Sequence, residues 1–246
     1  METVVDPLDA GLIDLLESNG KVEGPPDILK RLEKRDLALV MSRGHRLHLT
    51  SKEILFFQGD RHKGIFIIQS GLVRTYYTST SGREITLAYW QPGNFVGGPD
   101  VFGESIHMWS GVAVRDTDVV MLPGSEIRGL MERIPEFAVA LVEALVFKGK
   151  RFSTLVQLLG TRSIAERLSH LLLALSSFYG VSKEGGIAIA ADFTHEDLAH
   201  MVGASRQWVT TTLDRLQEKG VVRIRKRQVI ILRPDLLSPV SRASSS

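Results

Sequence analysis

Residues 193–233 read FTHEDLAHMVGASRQWVTTTLDRLQEKGVVRIRKRQVIILR, and this stretch decides how the chain is organised. Thr194 can cap a helix, and Asp197, at its third helical position, stands where a capping-box acid belongs. Leu198, Ala199 and Val202 give that helix an apolar face, and Gly203 supplies a sharp turn. Ser205 caps a second helix, in which Val209, Leu213 and Leu216 recur at spacings of four and three. Arg206, Gln207, Thr210 and Thr211 are left on its outer side, near its N-terminal end.

Gly220 ends the second helix, and VVRIRKRQVIIL (221–232) reads as two strands turning near Arg225, Lys226 and Arg227. Between Ser205 and Arg233 there are eight Lys or Arg and two acids, a local net charge of +6. Two short helices, a tight glycine turn and a basic two-stranded wing form a layout that places one helix in the DNA major groove. There Arg reads guanine, Gln reads adenine, and Thr pairs with a base edge or meets the thymine methyl.

Elsewhere the chain is nearly neutral. Residues 1–160 carry 18 basic and 20 acidic side chains, net −2, whereas 161–246 carry 12 and 8, net +4, within a total of +2 for 246 residues. A basic smaller part is expected where only that part meets phosphate. The absence of cysteine excludes disulfides, cysteine-ligated iron–sulfur clusters and thiol nucleophiles. The opening METVVDPLDAGLIDLLESNG is acidic and lacks the pattern of an export signal, and no apolar run reaches membrane-spanning length. The expectation is a soluble, cytoplasmic protein with no membrane partner and no cofactor.

From about Leu47 to Leu122 short strand-like segments are broken by Gly, Asp and Pro, with Gly59, Gly71 and Gly93 expected in turns. In GIFIIQS (64–70), Ile65 and Ile67 alternate with Phe66 and Ile68, so both faces are apolar. RTYYTST and SGREITLAYW form a hairpin turning at Ser-Gly. Strands so closely spaced predict an all-β barrel or jelly roll. After Pro135 comes a helix with Phe137, Leu141, Leu145, Phe152, Val156 and Leu159 available as stripes. Its first half, Ala138–Phe147, is apolar round most of its circumference, which calls for burial on two sides. A second copy of the chain meets that need and gives a homodimer matched to a palindromic site; the alternative is a helix buried between the two domains of a monomer. Gly160 is read as breaking this helix before a further amphipathic one.

LFFQGDRHKGIFIIQSGLVRTYYTSTSGRE and, after a long helix, DLAHMVGASRQWVTTTLDRLQEKGVV resemble, in that order and with that connecting helix, the cyclic-AMP receptor and fumarate–nitrate regulator (Crp/Fnr) family of bacterial transcription factors. The resemblance covers roughly residues 28 to 236. It implies an α+β chain: an N-terminal extension (1–27), a cyclic-nucleotide-binding-type β jelly roll (28–134), a long dimerisation helix (135–160), a winged helix-turn-helix DNA-binding domain (161–236) and a flexible tail (237–246). The extension contains a candidate short helix with Leu8, Leu12, Leu15 and Leu16 as its apolar stripe.

Nucleotide-binding members of the family hold the ribose with a Glu and the cyclic phosphate with an Arg. Here FVGGPDVFGESIHMWSGVAV puts Gly98 where the Glu would stand and Trp109, before Ser110, where the Arg would stand. An indole offers one N–H and no charge, which argues against cyclic AMP. Glu104 could serve the ribose in another alignment, but Arg115 is then no convincing phosphate partner. Gly98, Phe102, Glu104, Ile106, Met108, Trp109 and Ser110 form the candidate effector pocket, suited to an apolar or aromatic small molecule; alternatively the same side chains fill the barrel and no ligand is needed. His107 and Met108 could be raised as haem ligands, but a lone histidine is more often simply hydrogen-bonded.

The resemblance implies that Arg206, Gln207 and Thr211 occupy the base-reading positions, with Trp208 between them. Gln207 in place of the family's Glu implies a half-site different from the TGTGA type. Ser205 is a phosphate donor as well as a cap, and Arg223, Arg225, Lys226 and Arg227 are phosphate contacts. The partners expected are double-stranded DNA, a second copy of the chain and, if the bound dimer activates, RNA polymerase. No carboxylate is tied by a motif to a nucleophile or metal, so no enzyme is expected. The other function class left open is a sensor or scaffold that works through protein contacts, with a vestigial DNA-binding domain.

Overall fold

The computed structural model describes residues 26–183, 185–190, 193–225 and 228–237. The stripe Leu8–Leu16, Lys226, Arg227 and the tail from 238 onward lie outside the described residues. Two compact units are present, one within Lys21–Leu155 and one within Val156–Ser246.

The first unit opens with helix α1 (Lys34–Ser42) and continues through eight strands: β1 (His45–Leu49), β2 (Ile54–Phe56), β3 (Gly64–Ser70), β4 (Val73–Thr78), β5 (Glu84–Trp90), β6 (Phe95–Val96), β7 (Ser110–Ala113) and β8 (Thr117–Pro123). Helix α2 (Gly124–Arg133) and the long helix α3 (Pro135–Thr161) follow. The strands form two four-stranded antiparallel sheets, ordered β1-β8-β3-β6 and β2-β7-β4-β5. The anticipated β4–β5 hairpin is present, with Val73 opposite Trp90 and Thr78 opposite Glu84.

Strand β3 is apolar on both faces because each face enters a different core. Ile65 and Ile67 pack with Phe95, Leu122, Ile127, Phe137 and Leu141, while Phe66 and Ile68 pack with Phe56, Val73, Trp90 and Val119. One side of the first sheet is thus closed by α1, α2 and α3, and the other faces the second sheet. Helix α3 buries Phe137, Ala140, Leu141 and Ala144 in the first of these cores. On its other side Val139, Val142 and Val146 remain 40%, 54% and 52% exposed.

Gly160 does not end α3, which runs on to Thr161. The chain is instead restarted by Ser163, whose hydroxyl accepts from the Glu166 N–H while the Glu166 carboxylate accepts from the Ser163 N–H. This capping box fixes the start of α4 (Ile164–Tyr179), so the boundary is set by a cap and not by the glycine.

The second unit continues with β9 (Gly180–Lys183), β10 (Gly186–Ile189), α5 (His195–Val202), α6 (Arg206–Glu218), β11 (Val222–Arg225) and β12 (Gln228–Ile231). The two wing strands expected from sequence belong to a four-stranded sheet, ordered β11-β12-β10-β9. Gly186 lies so close to β12 that a Cβ there would meet the Ile231 carbonyl at 2.4 Å. Leu168, Leu171, Leu172 and Leu175 of α4 are buried in the core of this unit.

Arg167, 6% exposed, ties the unit together. Its Nε donates to the Val202 carbonyl at the end of α5 (2.9 Å), and its Nη1 donates to the carbonyls of Leu159 (3.3 Å) and Arg162 (2.9 Å) at the end of α3. One guanidinium therefore satisfies orphan carbonyls from two helix ends. Arg167→Met should lower unfolding stability by about 2 kcal/mol or more, measured by urea denaturation, because charge-assisted bonds to buried carbonyls are lost.

Candidate nucleic-acid interface and ligand cavity

The α5–turn–α6 segment is built from strong local signals. Thr194 and Asp197 form a reciprocal capping box at the start of α5, and Gly203 closes it at φ +67°, a left-handed conformation that a glycine adopts without penalty. Ser205 caps α6 by accepting from the Trp208 N–H at 3.2 Å. Leu198, Ala199, Met201 and Val202 of α5 and Val209 and Leu213 of α6 are buried.

Ser205, Arg206, Gln207 and Thr211 are exposed on the N-terminal half of α6, and Trp208 is half-buried. Thr210 is differently placed from its neighbours: its hydroxyl donates to the Arg206 carbonyl (3.0 Å) and accepts from His195 Nδ1 (2.8 Å). It is thereby spent on holding α5 to α6. Gln217 Oε1 accepts from the Ile224 N–H at 2.8 Å, which fixes β11 against the recognition-type helix. Arg223 is half-buried on β11 and Arg225 is exposed at its end, opposite Gln228.

The residues grouped as an effector pocket separate into four places. Gly98 and Trp109 line a cavity of about 120 Å³ in the first unit, together with Thr75, Trp90, Val96, Lys148 and Phe152. Phe102 and Glu104 instead line a separate, open cleft with Arg61, Lys63 and Arg128. Ile106 and Met108 are each 59% exposed, and Ser110 is buried in β7, accepting from the Gln58 N–H at 3.0 Å. Arg115 lies in the turn between β7 and β8 and is exposed.

Sequence reasoning missed Lys148, which reaches into this cavity from α3. Its Nζ donates to the Phe95 carbonyl at 2.7 Å and sits 3.3 Å from the centre of the Trp90 ring. Burial, with the nearby Arg151 cation adding to it, pushes the amine well below its ordinary range. The only signal available in sequence was a run of basic residues, Lys148, Lys150 and Arg151, in an otherwise apolar helix. Trp90 Nε1 donates to Thr75 Oγ1 at 3.0 Å, and Trp109 packs against Phe152 with ring centres 5.4 Å apart.

Next to the glycine turn of the cavity lies a buried histidine pair. His62 and His107 are 1% and 4% exposed with ring centres 4.5 Å apart, and His107 stacks on Phe56 at 4.2 Å. His107 Nδ1 donates to the Gly97 carbonyl at 2.7 Å. Burial pushes both imidazoles below their ordinary value of 6.5. Gly98 has φ +134°, and a Cβ on it would lie 3.4 Å from His62 Nε2, so a glutamate at this position would need a different backbone.

The cyclic nucleotide-binding domain model matches residues 46–134, and the Crp-like helix-turn-helix domain model matches residues 166–240. The cyclic AMP receptor protein of Thermus thermophilus is 31% identical over 209 residues, covering 85% of this chain and 93% of that protein. The global nitrogen regulator of a Nostoc species is 25% identical over 186 residues, covering 75% and 83%. The fold is shared with the c-di-GMP responsive global regulator CLP of Xanthomonas campestris, at a TM-score of 0.70 and 19% identity over 81% of this chain and 99% of that one. A β-sheet domain of cyclic-nucleotide-binding type followed by a helix-turn-helix domain defines a class of DNA-binding, non-catalytic regulators. The chain belongs to the Crp/Fnr family of bacterial transcriptional regulators. Among the described residues no helix is long and apolar enough to cross a membrane.

The histidine pair gives a pH signature. Because both folded values lie below 6.5, the unfolded chain takes up protons first as pH falls, and the stability these neutral rings contribute is lost from about pH 6.5 downward. The urea midpoint of the first unit, followed by tryptophan emission, should fall between pH 7.5 and 5.5. His62→Leu should flatten that dependence, and the difference between the two proteins removes the contributions of exposed histidines such as His48.

Proposed function

We propose that the chain is a homodimeric, sequence-specific transcriptional regulator that reads a palindromic operator through α6 and works without cyclic AMP, in the bacterial cytoplasm. The observation that carries this reading is the capped N-terminal half of α6, which presents Arg206, Gln207 and Thr211 to solvent beside the basic strand β11. Arg206 and Gln207 are the base readers in this proposal, with Trp208 against sugar or a thymine methyl; Thr210 acts from within the α5–α6 contact. Ser205, Arg223, Arg225, Lys226 and Arg227 hold phosphates.

The two sheets are read as the halves of an effector-type jelly roll over 28–134, and α3 as the dimerisation helix. Val139, Val142 and Val146 recur at three and four residues on its exposed side, the spacing of a coiled-coil seam, and Ser153 and Val156 extend that spacing along the same helix. RNA polymerase is a partner if the bound dimer activates. Cyclic AMP independence is supported by Gly98 at φ +134°, by the indole of Trp109 where a guanidinium would be needed, and by Arg115 lying outside the cavity lining. The cavity beneath Trp109 is the effector site in this reading.

Selection from a randomised duplex pool at about 150 mM salt, with effector-free protein, tests the proposal. Enrichment of one palindrome with half-sites about 34 Å apart is expected. Retention of duplex without enrichment would instead favour a sensor or scaffold whose DNA-binding domain is vestigial. On the enriched duplex, Arg206→Ala should cost about 1–3 kcal/mol and relax one base position. Arg223→Ala should weaken all sequences alike and reduce the salt slope by about 1, read from affinities at several salt concentrations.

A further inference from the structure

We infer that the cavity beneath Trp109 takes a small organic carboxylate, its charged end against Lys148 and its apolar body between Trp90, Trp109 and Phe152. This rests on reading the β-sheet unit as an effector domain and names the ligand class for it.

The lining sets the class. Three tryptophan and phenylalanine rings and Val96 make the walls apolar, and no acidic side chain lines the cavity. Of the two polar side chains, Thr75 is already engaged, since its hydroxyl accepts from Trp90 Nε1 and donates to the Ala88 carbonyl. Lys148 is not so occupied. An ammonium carries three N–H groups; one is given to the Phe95 carbonyl and one faces the Trp90 ring, which leaves a donor for a ligand.

No carboxylate lines the cavity to balance a charge on that amine, Arg151 adds positive potential beside it, and burial holds it toward its neutral form. An isolated buried ammonium is costly, and an arriving carboxylate supplies both the counter-charge and the missing acceptor. A neutral ligand of the same shape supplies neither.

Size narrows the class further. An apolar cavity of about 150 Å³ holds benzene, so one of about 120 Å³ accepts a single small ring or a short branched chain. A base, ribose and phosphate together exceed it. Trp109 and Phe152 are half-buried, and Pro99 and Gly149 of the same lining are exposed, so the cavity is open to solvent on this side.

The chain has three tryptophans, so in a Trp208→Phe background emission comes from Trp90 and Trp109 alone, both in the lining. Titration of this full-length variant with benzoate and with isobutyrate should give a saturable change with at least one of them. Benzyl alcohol should bind at least tenfold more weakly, a comparison that needs no change at Lys148. Adding Lys148→Met, with folding checked by circular dichroism, should weaken the acid at least tenfold. No saturable response to either acid, equal binding of benzyl alcohol, or undiminished binding to the folded Lys148→Met protein would each overturn the inference. Operator selection is done without ligand and this titration without DNA, so failure of one reading is distinguishable from failure of the other.

Discussion

The burial demand of helix α3 is the constraint on which the remaining structure depends. Its inner face, Phe137, Ala140, Leu141 and Ala144, closes one core of the β-sheet unit, and the two alanines let the helix backbone come close to the strands. Its opposite side offers Val139, Val142 and Val146, and full burial of each valine would contribute about 1.5–3 kcal/mol. A helix that satisfies one side inside its own unit and leaves a second apolar side open is the ground for the dimer interface proposed above. The same helix supplies Leu145, Lys148 and Phe152 to the ligand cavity, and its last carbonyls are held by Arg167. The cavity lining and the proposed seam therefore lie on the same helix. In the proposed reading, a ligand that shifts the α3 side chains would act on the helix that carries the proposed seam.

Lys148 gives this arrangement its chemistry. A lysine in an apolar wall is an expensive choice if the wall only has to be filled, and a leucine or methionine would fill it without desolvating a charge. The Phe95 carbonyl and the Trp90 face offset part of that cost. The glycine turn opposite, Gly97–Gly98, is equally specific: both residues have positive φ, at +130° and +134°, and they pack on the His62 ring. Charge has moved from the turn, where the family's ribose and phosphate groups would be met, to the helix. That relocation is the ground for the ligand class inferred above.

Much of the DNA-binding unit was legible in the sequence because its signals are local. Thr194 with Asp197, Gly203 and Ser205 each act within three or four residues, and each appears in the structure in the role its chemistry implies. The β4–β5 hairpin and the double-faced strand β3 were readable for the same reason. Strands β9 and β10 were not, because four residues carry too little periodicity and β12, the strand that joins β10 to the wing, lies some forty residues away. The cavity was legible only at Gly98 and Trp109. Phe102, Ile106 and Met108 are apolar and close in sequence, but the loop carries Phe102 to another cleft and leaves Ile106 and Met108 exposed. Lys148 enters from a helix some forty residues further on, and neither helical periodicity nor composition separates an inward lysine from a solvated one.

Sedimentation of the full chain, alone and with the duplex recovered by selection, tests the central claim most directly. The account predicts a particle of twice the 27.2 kDa chain mass, two chains on one palindromic duplex, and dissociation to single chains with loss of palindrome preference when Val142 and Val146 are both replaced by lysine. A single chain in solution that binds an isolated half-site as tightly as the palindrome would contradict it.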